Sequence, residues 1–212
     1  MITLYNYGPS QNGYKVRLLL AQLDREYRTQ DVAIFDGESR TPAFLSKNPM
    51  GAVPVLELED GSHLPESNAI LAYLAEGTEF LSDDPLVRAR TLRWMFFEQE
   101  YVQSSIASLR HRMLTGKLDA ASPATAEKRK LGARVLAALE GQLGSTDFLA
   151  GRRYSIADIS NFAYGGLAED AGYDLADYPA VKAWTRRVRS QPKFLDDIIP
   201  YSIDPHSHRE LG

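Results

Sequence analysis

The period of the apolar positions changes once along the chain. Residues 2–5 form a short β-prone run closed by Gly8-Pro9, and from 11 to 23 the residues Val16, Leu19, Leu20 and Leu23 recur at helical spacing behind Ser10, which is placed to cap them. A second strand is expected over 27–34. A β-α-β unit of this length implies a parallel pair with a right-handed crossover. Residues 35–47 are polar, with Thr41-Pro42 opening a short helix, while 53–57 and 62–64 flank Asp60-Gly61, a hairpin signal. Residues 68–75 read as a helix with Ile70, Leu71 and Leu74 on one face, ending at Gly77. The order of elements is β-α-β-α-β-β-α.

After Gly77 strand character is lost. Asp83-Asp84-Pro85 starts a helix that runs to about Leu114 and carries Leu92, Phe96, Phe97, Tyr101, Ile106, Leu109 and Met113. A break over 116–123 precedes a helix over 124–143 with Leu131, Val135, Leu136, Leu139 and Leu143 inward. Ser155-Ile-Ala-Asp158 is a capping signal with Asp in place of the usual Glu or Gln. A helix over 178–190 points Val181, Trp184 and Val188 at a core, and 192–199 is expected to add a last turn or two. The expected division is an α/β domain over 1–77, a linker over 78–86 and an all-helical domain over 87–212.

Composition narrows the function classes. A net charge of −4 and a pI near 5.6 argue against nucleic-acid or anionic-membrane partners. There is no cysteine, which excludes disulfides, thiolate metal sites and any reaction that uses the protein's own thiol. Neither a secretory signal pattern nor an apolar run near the ~20 residues of a membrane span is present, so a soluble cytoplasmic protein is expected. His63 and His111 lack metal-ligand companions, and His206 and His208 sit in a Pro-, Ser- and Asp-rich tail that reads as solvated, so no metal is expected.

The chemistry concentrates in residues 48–70. Val53-Pro54 places a proline, which has no N–H, at the head of an apolar run, where a cis bond is affordable. Glu66-Ser67-Asn68 then opens a helix. The first N–H groups of a helix lack internal partners and sit at the positive end of its dipole, so this stretch reads as a binding edge for a small anion.

Three motifs in order, Asn48-Pro49-x-Gly51-x-Val53-Pro54, Glu66-Ser67-x-Ala69-Ile70 and Tyr154-Ser155-Ile156-Ala157-Asp158, make the chain resemble a glutathione S-transferase over nearly its whole length. The block Trp94-Met-Phe-Phe-Glu98-Gln99 resembles the first long helix of many bacterial members. The resemblance implies a thioredoxin-like N-terminal domain followed by a helical bundle, and an enzyme that activates glutathione, as co-substrate, for attack on a hydrophobic electrophile. It implies that Val53 pairs its backbone with the cysteinyl part, that Pro54 is cis, and that Glu66 and Ser67 hold the γ-glutamyl end. Ser10 stands where the serine-using theta and zeta classes carry their catalytic serine. Ser10, Asn12 and Tyr7 are the candidates for contact with the thiol.

Two positions depart from the family pattern. Ser39-Arg40 and Ala52 stand where a histidine and a lysine or glutamine commonly meet the glycyl carboxylate, leaving Arg40 or Lys47 to supply that charge. The acceptor is expected against Tyr7, Tyr101, Ser105, Leu109, Arg110 and Met113. The resemblance also implies a homodimer, with Glu98 or Gln99 reaching the neighbour's γ-glutamyl group. The missing cysteine closes the mixed-disulfide route of omega- and beta-like members. Two alternatives stay open: reduction of small disulfides or peroxides with a second glutathione, and a non-catalytic binding or scaffold protein of the same fold.

Overall fold

The computed structural model describes residues 1–210, which divide into two units: Met1–Leu74 with the segment from Lys193 onward, and Ala75–Pro192. In the first, β1 (Thr3–Asn6), α1 (Gln11–Gln22), β2 (Arg28–Asp31), α2 (Pro42–Leu45), β3 (Val55–Glu57), β4 (His63–Pro65) and α3 (Ser67–Ala75) follow the expected order, with short 3-10 turns at Ile34–Asp36 and Glu38–Arg40. The strands form one sheet in the order β2-β1-β3-β4, with β1 and β2 parallel and the other two pairs antiparallel. β2 is shorter than the expected 27–34: the last bond to β1 runs from the Val32 N–H to the Asn6 carbonyl (2.8 Å), and the chain then turns into the 3-10 turn at Ile34–Asp36, with Val32 packed against Phe44 and Val55. All four of its residues are exposed and polar, which suits an edge strand.

α1 is buried on more faces than an amphipathic pattern predicts. The reason is the C-terminal segment. Residues 193–210, expected in the helical domain, lie on the first unit: Tyr14 Oη donates to the Leu195 carbonyl (2.7 Å), and the Arg17 guanidinium pairs with Asp197. The turns expected over 192–199 do not form. A 3-10 turn appears instead at Tyr201–Ile203, after the Leu195 carbonyl and the Asp197 carboxylate have met donors on α1.

The second unit is helical. Asp84 accepts from the Leu86 and Val87 N–H groups, both at 2.9 Å, to start α4 (Pro85–Phe97). That helix continues through a π-helical segment, Glu98–Ala107, into α5 (Ser108–Leu114). Within the segment the Ser104 and Ser105 hydroxyls donate to the carbonyls of Glu100 (2.6 Å) and Tyr101 (2.5 Å). α6 (Pro123–Leu143), α7 (Ile156–Gly165) and α8 (Pro179–Arg189) complete the unit around Trp184, Phe162 and Leu139. Among the described residues no helix is long and apolar enough to cross a membrane.

Candidate functional site

Sheet topology assembles the candidate site. β3 runs antiparallel to both β1 and β4, with Tyr5 opposite Val55 and Val55 opposite Pro65. The exit of β1, the entry of β3 and the exit of β4 therefore share one edge. The segments attached there are Tyr7–Ser10, Val53-Pro54 and Glu66-Ser67.

The Val53-Pro54 bond is cis, and the ladder starts at Val55 rather than at the expected Val53, since proline has no N–H to donate. The loop before it is held by Asn48, which is buried: its amide donates to the Ala52 carbonyl (2.8 Å) and accepts from the Met50 N–H (3.0 Å). Gly51 has φ +61°, and a Cβ there would meet the Arg40 guanidinium at 2.5 Å. Arg40 is thus drawn onto this loop, where Nη1 donates to the Met50 carbonyl at 2.7 Å. Lys47, the other cation considered for the glycyl end, lies 3.1 Å from His63 and 3.8 Å from the Glu57 carboxylate. The Tyr5 hydroxyl donates to that carboxylate and, with Lys47 and His63 beside it, holds Glu57 below the usual carboxylate range.

Ser10 caps α1, its Oγ accepting from the Gly13 N–H at 3.4 Å. That contact uses a lone pair and leaves the O–H to donate elsewhere. α3 starts at Ser67, whose hydroxyl reaches Asn12 Oδ1 (3.4 Å) and the Lys15 ammonium (3.5 Å). Glu66 precedes it, exposed and at φ +73°. The starts of α1 and α3 are therefore tied side by side. Lys15 was missed in the sequence, although a lysine in helical register with Leu18 and Leu19 was the available signal.

Several expected contacts are corrected. Tyr7 is buried against Phe35 and Tyr201, and its hydroxyl donates to Asp204 at 2.8 Å. Burial, followed by the Asp204 hydrogen bond and charge, pushes its pKa upward, and a phenol has one proton to donate. It therefore has none for a thiolate, and the ring is closed to an acceptor. Ser105 and Leu109 show no exposure, and Arg110 is buried with its guanidinium on Asp170 at 2.8–2.9 Å. These three are packing residues. Met113 is half-buried on α5. Tyr101 remains half exposed, its ring 5.2 Å from that of Phe97. Glu98 is fully buried and accepts from Ser160 (3.2 Å), so it points into its own helical unit, whereas Gln99 is exposed. His206, expected in solvent, pairs with Asp36 at 2.7 Å. Among the described residues no group of three or more His, Asp or Glu is placed to hold a metal ion.

A sheet of this order with a cis proline ahead of β3, joined to a helical unit, defines a thioredoxin-like domain followed by a helical bundle. Residues 1–76 match the family described as glutathione S-transferase, N-terminal domain, and residues 102–192 match glutathione S-transferase, C-terminal domain. The chain is 34% identical over 200 residues to the disulfide-bond oxidoreductase YfcG of Escherichia coli (strain K12), covering 91% of this chain and 92% of that protein. It is 32% identical over 202 residues to glutathione S-transferase F13 of Arabidopsis thaliana, covering 89% and 92%. A crystal structure of a glutathione S-transferase from Pseudomonas fluorescens superposes with a TM-score of 0.89 at 41% identity, covering 93% of this chain and 99% of that one. The chain belongs to the glutathione S-transferase family.

Proposed function

We propose that the first unit binds glutathione along the edge formed by Val53-Pro54 and Glu66-Ser67 and that Ser10 donates its hydroxyl proton to the sulfur, stabilising the thiolate for attack on a hydrophobic electrophile. The observation that carries this reading is the contact of Ser67 with Asn12 at 3.4 Å, which joins the anion-binding start of α3 to the helix start that Ser10 caps. A free thiol, with a pKa of ~8.5, is mostly protonated at neutral pH; a donated O–H and the positive end of α1 favour the thiolate. Asn12 is the alternative donor. Arg40, held over the loop before Pro54, is assigned to the glycyl carboxylate, and Tyr101 to the acceptor.

Titrating the thiolate absorbance of bound glutathione tests the reading. The wild type should show a pKa below that of free glutathione, and S10A should return it toward the free value with N12A unchanged. An unshifted wild-type pKa overturns the reading, and a loss confined to N12A transfers the role to Asn12.

A second reading, reduction of a small disulfide by bound glutathione with a second glutathione completing the exchange, is favoured by the relative named a disulfide-bond oxidoreductase and is compatible with a chain that has no cysteine. Turnover of a glutathionyl mixed disulfide against an aromatic halide separates the two. We also assign a cytoplasmic location and a homodimer, the latter supported by the exposed Tyr73 on α3 and Phe96 on α4; light scattering tests its mass.

A further inference from the structure

Lys15 lies in the second turn of α1 and has no exposed surface, yet nothing in the thiol chemistry above uses it. A buried ammonium is costly unless hydrogen bonds or an opposite charge offset the lost hydration. Its Nζ is 3.5 Å from Ser67 Oγ, at the first residue of α3, and that oxygen is 3.4 Å from Asn12 Oδ1. Lysine is a donor only, so the contact occupies a lone pair of Ser67 and directs the Ser67 proton away from Lys15. That proton goes to Asn12 Oδ1.

We propose that Lys15 is a positioning residue for the α-carboxylate of the γ-glutamyl group. It acts through Ser67: it sets the direction of the hydroxyl that meets the carboxylate and places a fixed positive charge beneath it, adding to the helix dipole of α3. The selectivity that follows is for a ligand with a free α-carboxylate at this end. The proposal rests on the glutathione reading above, and the experiment keeps the two apart.

Calorimetry on the full chain would use two probes, S-methylglutathione and γ-aminobutyryl-S-methylcysteinylglycine, which lacks only the α-carboxylate. The wild type should prefer the first. K15M should weaken S-methylglutathione binding by about tenfold or more while leaving the second probe within about twofold, and K15R should retain most of the preference. An equal loss on both probes, or no loss on either, overturns the proposal. A wild type that binds both probes equally overturns it while leaving the glutathione reading intact; one that binds neither overturns both. K15Q is the companion variant should K15M fail to fold. Failure of both to fold would place the charge in the resting fold and overturn the proposal as well.

Discussion

Two of the serines that open helices in this protein, Ser155 and Ser67, use their hydroxyls in opposite ways. Ser155, ahead of α7, turns inward: its Oγ accepts from the Ala157 N–H (3.3 Å) and donates to Asp158, whose other carboxylate oxygen accepts from the Leu149 N–H and Trp184 Nε1, both at 2.9 Å. Ser67, opening α3, reaches sideways to Asn12 and Lys15 on another helix. Both starts carry a carboxylate residue. At α7 it is fully buried among internal donors, and at α3 Glu66 is exposed. The difference separates two kinds of helix start: one closed on itself, which stabilises a unit, and one tied across to a neighbour beside a sheet edge, the arrangement to which the proposed glutathione site is assigned.

The largest test of the closed start is Asp158. D158A strands the Leu149 and Ser155 N–H groups, the Ser155 hydroxyl and the Trp184 indole. It should cost about 3–5 kcal/mol in denaturant unfolding. D158N keeps one carbonyl oxygen and should cost about half as much. Burial pushes the Asp158 carboxyl up to about 6, against the hydrogen bonds that favour its charged form. A folded-state value above the unfolded ~3.9 means that the folded chain holds the extra proton between these limits. This group's stabilising contribution is therefore full below pH ~4 and lost as pH rises through about 6. D158N should remove that slope, which denaturation midpoints at several pH values would read.

S67A tests the open start and should do the reverse. Loss of a hydrogen bond to a charged ligand is worth about 1.5–3 kcal/mol, so glutathione affinity should fall about 10- to 100-fold, while stability falls far less than in D158A although Asn12 and Lys15 each lose one contact. S155A is smaller, a lost cap of about 1 kcal/mol read as a lower melting temperature with glutathione affinity unchanged. If S67A lowered the melting temperature as much as S155A and left binding alone, the two starts would be equivalent and the comparison would collapse.

Three helix caps were legible in the sequence because they are local: Ser10, Asp84 and Ser155 each lie a few residues from the N–H they accept. The turns of the candidate edge were legible because Asn48, Gly51, Pro54 and Ser67 are set by local chemistry close to their own positions. The face of the long helix was not. Projecting a 3.6-residue period through the π-helical segment Glu98–Ala107 rotates the assignment, so Ser105 and Leu109 appear to face a ligand and in fact face the core. The C-terminal segment was equally opaque. Its apolar residues have no period, and its place on the first unit depends on separate pairings with Tyr14, Arg17 and Tyr7, far away in sequence.

Tyr7 gives the finest test, because it stands beside the ligand edge yet behaves like the closed helix start. Its hydroxyl is committed to Asp204, and its ring is enclosed by Phe35 and Tyr201. Y7F keeps the ring packing and removes one hydrogen bond to a carboxylate that is still half-exposed and can be hydrated, so the loss should be about 1 kcal/mol or less. The thiolate pKa of bound glutathione should not change, since the proton removed was never directed at the sulfur. Asp204→Ala should cost more than Y7F, because it also strands the His206 N–H that Asp204 accepts at 2.8 Å, and the double variant should cost little more than Asp204→Ala alone, since the Tyr7–Asp204 bond is already lost there. A shift of the thiolate pKa in Y7F with stability unaltered would instead make Tyr7 a donor to the ligand, and proximity to the edge, rather than commitment to an internal carboxylate, would then decide which hydroxyls act.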